Sequence, residues 1–63
     1  MTTTVALEDR VLDYLDAQTA PRHIGHIRMA LGVSLLTVCD ACRRLRLDGR
    51  IRWERGGYVV TRE

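Results

Sequence analysis

Leu31-Gly32-Val33-Ser34-Leu35-Leu36-Thr37-Val38 is the stretch on which the fold of this 63-residue chain turns. Gly32 stands where a left-handed residue closes a helix, and Ser34 offers the hydroxyl that opens the next one. Two helices meeting at so short a break, with a glycine in it, have the spacing of a helix-turn-helix. Upstream, Ile24, Ile27, Ala30 and Leu31 fall on one side of a short helix expected over about residues 23–31. Downstream, a longer helix is expected over about 34–48, ended by Gly49. With Val38 at the centre of its buried face and about 100° added per residue, Leu35, Ala41, Cys42 and Leu45 gather beside it. Leu36, Asp40, Arg43 and Leu47 then point most directly away from the core.

Working outward, Leu7, Val11 and Leu15 recur at helical spacing, with Leu12 widening the stripe, so a first helix is expected over about 4–17. Glu8 and Asp9 suit its positive N-terminal end, and one of Thr2 to Thr4 is available as its cap. Pro21 ends it, because the residue before a proline disfavours the helical region. On the other side, Ile51-Arg52-Trp53-Glu54 alternates apolar and charged residues. Arg55-Gly56-Gly57 supplies turn chemistry, and Tyr58-Val59-Val60-Thr61 is rich in strand formers, which gives a β-hairpin over about 50–62. The expected fold is mostly α with a small hairpin, an α+β arrangement filling residues 1–63 as a single domain.

Composition narrows the function. Hydrophobic residues are 46% and charged residues 29%, an ordinary globular balance. No stretch approaches the roughly 18 apolar residues of a membrane span. Met1-Thr2-Thr3-Thr4 lacks the regions of a signal peptide, so no membrane partner and a cytoplasmic address are expected. A chain this short has room for one small core and one working surface, and Asp13 and Asp16 have no His, Ser or Lys constellation beside them; an enzyme and a cofactor are not expected. The net charge is +2, and every basic residue is arginine. Residues 1–21 carry Arg10 against Glu8, Asp9, Asp13 and Asp16, whereas residues 22–63 carry nine arginines against Asp40, Asp48, Glu54 and Glu63. That asymmetry predicts an acidic back and a basic working face suited to a polyanion.

Taken together, Gly32-Val33-Ser34-x-x-Thr37-Val38, Leu45-x-x-x-Gly49-x-Ile51 and Gly56-Gly57-Tyr58-Val59-Val60-Thr61 resemble the winged helix-turn-helix DNA-binding domain, most closely the GntR-type version of bacterial transcription regulators. The resemblance spans Val5 to Arg62 and leaves no room for an effector domain. It implies a three-helix winged fold that binds double-stranded DNA, with the third helix in the major groove and the hairpin wing on the backbone or in the minor groove. By position it implies Ser34, Leu36, Thr37, Cys39 and Asp40 at the groove-facing start of the recognition helix, with Leu35 beside them. Arg43, Arg44 and Arg46 would follow, and Arg52, Arg55, Gly56 and Gly57 would form the wing. A guanidinium can fork onto a phosphate or a guanine edge, and glycines let a backbone approach a phosphate closely. One module of this size buries little, so a homodimer on two half-sites is expected.

The chain departs from the family at Leu35, Leu36, Cys39 and Asp40, where Arg, Ser, Thr or Gln are usual. Leucines and a carboxylate suit a protein surface better than a phosphate, so the alternative is a winged helix binding a protein through Leu36 and Leu47. Leu36 could equally touch a thymine methyl, and Asp40 a cytosine amino group. His23-x-x-His26 and Cys39-x-x-Cys42 offer two ligand pairs at i, i+3. The favoured reading is nevertheless one buried and one accessible cysteine, two surface histidines and no metal. Trp53 shares a strand face with Ile51 and is expected to close the core, as are Tyr58 and Val60.

Overall fold

The structure, a computed structural model, describes residues 6–61. Its elements are α1 (Leu7–Asp16), α2 (Ile24–Leu31), α3 (Leu35–Leu47), β1 (Ile51–Glu54) and β2 (Gly57–Val60). Three helices and one antiparallel hairpin make the α+β fold expected. The helix bounds lie one to three residues inside the expected ranges, because flanking residues serve as caps, except that α2 ends at Leu31 as expected. At α1 the cap position is Ala6, which has no side-chain acceptor; Thr2 to Thr4 lie outside the described residues. His23 caps α2 in extended conformation, its Nδ1 accepting the Gly25 N–H at 3.0 Å. Ser34 caps α3, its hydroxyl accepting the Thr37 N–H at 3.2 Å.

Between α2 and α3 the chain turns through 115°, within the range of a helix-turn-helix. Gly32 makes that turn possible with φ of 67°, and its N–H closes onto the Arg28 carbonyl at 2.9 Å. At the far end of α3 the Arg50 N–H reaches back to the Leu45 carbonyl at 2.9 Å. The core is Val11 and Leu15 from α1, Ile27 from α2, Val38, Ala41, Cys42 and Leu45 from α3, and Ile51 from β1. Leu35 and Ala30, expected on buried faces, are exposed. Each lies at an end of its helix near the turn, where α2 and α3 diverge and nothing covers it.

The hairpin pairs Ile51 with Val60, Arg52 with Val59, Trp53 with Tyr58 and Glu54 with Gly57. Its two-residue turn, Arg55-Gly56, has positive φ at both positions, 55° and 79°, as a type I′ turn requires. Tyr58 and Val60 do pack against the core. Trp53 does not: it is 52% exposed, with its ring edge-on to Tyr58 at 4.9 Å. Ile51 is the last residue of β1 under helical cover. Two residues on, roughly 7 Å along the strand, Trp53 points to the same face but lies at the margin of the core, where Tyr58 covers one side of it and solvent the other.

One rung of the sheet was not legible in the sequence. Arg22, in the connection from α1 to α2, forms a β-bridge with Tyr58, its N–H donating to the Tyr58 carbonyl at 3.2 Å and its carbonyl accepting from the Tyr58 N–H at 2.7 Å. This bridge ties the tip half of β2 to the α1–α2 connection and explains Gly57. A Cβ there would stand 2.6 Å from the Arg22 nitrogen and 2.8 Å from the Pro21 carbonyl carbon, so only glycine allows the approach. Gly57 is buried and meets the protein's own backbone. Its expected approach to a phosphate is thereby corrected, and Gly56 is left as the glycine at the exposed tip.

Candidate nucleic-acid interface

The outer surface of α3 follows from its helical phase. With Val38, Ala41, Cys42 and Leu45 inward, Leu36, Asp40, Arg43 and Leu47 form the outward ridge. Leu36 is 83% and Leu47 80% exposed, so two large apolar side chains stand in water at the two ends of that ridge. Between them Asp40 binds two arginines. Arg43 Nη2 lies 3.3 Å from Asp40 Oδ1, and Arg44 Nη2 donates to Asp40 Oδ2. Arg44 is also held toward α1, with Nη1 3.7 Å from Glu8 Oε2. Ser34 and Thr37 are joined hydroxyl to hydroxyl at 2.6 Å, which commits Ser34 to the helix start. Cys39 and Arg46 are exposed on the flank opposite Thr37 and Arg44.

The hairpin carries the second set of arginines. Arg52 projects from the face away from Ile51, its Nε 2.9 Å from Glu54 Oε2. Arg55 occupies the first turn position with φ of 55°, a left-handed conformation that costs a side-chain-bearing residue about 1 kcal/mol or more. It makes no ion pair among the described residues. Arg52 and Arg55 border a shallow recess closed on its other side by Thr19, Ala20 and Pro21, so the hairpin and the α1–α2 connection share one surface. Trp53, expected in the core, is instead exposed on the opposite face of the same hairpin. The available signal was its place two residues beyond Ile51 and two before the turn.

The paired cysteines and histidines resolve differently. Cys42 is buried and Cys39 exposed, so the two thiols do not share an accessible face. Burial pushes the Cys42 thiol up to about 11, and the neighbouring Cys39 adds to the rise. His23 and His26 stack on one another with centroids 3.8 Å apart, and His23 is engaged as the α2 cap. Among the described residues no group of three or more His, Cys, Asp and Glu side chains could hold a metal ion.

Compared with known proteins, the chain matches no family model, no curated protein and no solved structure. Among the described residues no single helix is long and apolar enough to cross a membrane.

Proposed function

We propose that this chain is a small cytoplasmic DNA-binding regulator, a winged helix-turn-helix that sets α3 in the major groove of double-stranded DNA and its hairpin on the backbone. The observation that carries this reading is Arg55. A cation sits at the tip of a tight turn, in a left-handed position that Gly or Asn would fill with less strain, and it is exposed and makes no ion pair among the described residues. Strained backbone supporting an exposed charge fits a contact residue better than a purely structural one. Arg52 beside it, and Arg43 and Arg46 on α3, extend the cationic surface. The ion pairs of Asp40 and Glu54 do not oppose the reading strongly, because exposed pairs are worth only about 0–1 kcal/mol and yield to a phosphate. The test is a salt titration of the purified chain against mixed duplex DNA. Affinity should fall with a log–log slope near −0.9 per phosphate neutralised, giving roughly −3 for three or four arginine contacts. A protein that ignores duplex DNA at low salt is not this regulator.

A second reading has its own support. Leu36 and Leu47, 83% and 80% exposed, would touch little in a groove and are suited to another protein surface.

A further inference from the structure

The outward ridge of α3 has two properties beyond its exposure. Leu36, Asp40, Arg43 and Leu47 are spaced four, three and four residues apart, the alternation of a heptad seam. The ridge is also complementary to itself when reversed. A two-fold axis centred between Ala41 and Cys42 pairs Leu36 with Leu47 of a second copy and Asp40 with Arg43 of that copy. On the flanks the same operation sets Thr37 against Arg44 and Cys39 against Arg46 of the second copy, so no like charges are opposed. A parallel pairing would instead stack Asp40 on Asp40 and Arg43 on Arg43. Isologous two-fold contacts require this kind of self-matching surface.

We infer that two copies of this chain associate through an antiparallel α3–α3 seam, and that the resulting dimer hides the face of α3 placed in the major groove above. The seam stands by itself; only the occlusion rests on the DNA reading. Four leucines leave water on association. The Asp40 and Arg43 charges, already 3.3 Å apart within each chain, exchange into symmetric pairs across the seam. Since Leu36, Asp40 and Arg43 cannot face a groove and a second copy together, duplex DNA and the second copy compete for one surface. The hairpin arginines, on a different element, lie outside the seam.

The register makes the test sharp. Sedimentation equilibrium of the full chain, from about 1 μM to about 1 mM so that a weak pair is populated, should show monomer and dimer. Asp40→Arg alone and Arg43→Asp alone each place like charges across the seam and should raise the dissociation constant at least about 10-fold. The double variant Asp40→Arg/Arg43→Asp restores opposite charges and should return the constant close to that of the parent. Both residues lie outside the core, and circular dichroism checks that each variant is folded. A parent that stays monomeric throughout overturns the seam, as does a double variant no better than the singles. Added duplex DNA should dissociate the dimer; a duplex carrying the intact seam dimer overturns the occlusion. Dimerisation with charge-swap rescue but no duplex binding at low salt upholds the seam and removes only the DNA reading.

Discussion

On α3 the arginines share their surface with a carboxylate and two leucines, whereas on the hairpin the outermost arginine has no ion-pair partner among the described residues. Asp40 holds Arg43 and Arg44 together, and Glu8 draws Arg44 further toward α1. Glu54 holds Arg52, and Arg55 makes no ion pair among the described residues. The two regions therefore present different surfaces: the helix a mixture of apolar and paired charged side chains, the hairpin tip an arginine with no ion pair among the described residues. Their attachments differ as well. The helix is fixed by four buried side chains, while the hairpin depends on Ile51, on Tyr58 and Val60, and on the bridge through Arg22.

The largest expected effect strikes that bridge. Gly57→Val puts side-chain atoms into the Pro21–Arg22 backbone and should cost about 2–4 kcal/mol, most of the few kcal/mol such a small core supplies. A thermal melt would show it, with loss of the Trp53–Tyr58 near-ultraviolet signal; an unchanged melting temperature would mean that the bridge does not anchor the wing. Next come the two arginine sets. Under the proposed DNA-binding function, Arg43→Ala should weaken a preferred DNA site more than random duplex, by about 1–3 kcal/mol. Arg55→Asn should weaken both alike and flatten the salt slope by roughly 1, while stabilising the fold slightly because Asn accepts positive φ. Equal losses from both variants on every sequence would erase the distinction between a reading helix and a backbone-binding wing.

Smaller effects probe the helix alone. Ser34→Ala removes the α3 cap and should cost about 1 kcal/mol in chemical denaturation, whereas Ser34→Asp, which keeps an acceptor, should cost little. Thiol labelling of the native protein should modify Cys39 quickly and Cys42 only on unfolding. The Cys42 thiol is held up to about 11 in the fold, so an unfolded chain releases this proton at lower pH than the folded one. Stability should thus be unaffected by this group below the ordinary thiol range and fall as pH rises through that range toward about 11. Cys42→Ala should flatten that alkaline decline. A parent with no alkaline decline would mean that Cys42 is not sheltered as its burial indicates.

The sequence by itself determined the elements. Helical spacing around Val11, Val38 and Leu45, the Gly32–Ser34 break and the Arg55-Gly56 turn each follow from local chemistry acting within a few residues, and the structure has all of them. It also separated an acidic first third from an arginine-rich remainder. Only the tertiary structure decided what each exposed or buried position meets. Parity aimed Trp53 at the core, but its place at the core's margin leaves it half in solvent. The family resemblance implied Gly57 against a phosphate, but the bridge to Arg22 uses it inside the molecule. The arginine count promised a basic helix face, but Asp40, one turn away from Arg43 and Arg44, draws both to itself. Periodicity reports the direction a side chain takes from its own backbone; where the neighbouring elements stop, and which charges they bring within reach, depends on contacts between residues far apart in the chain.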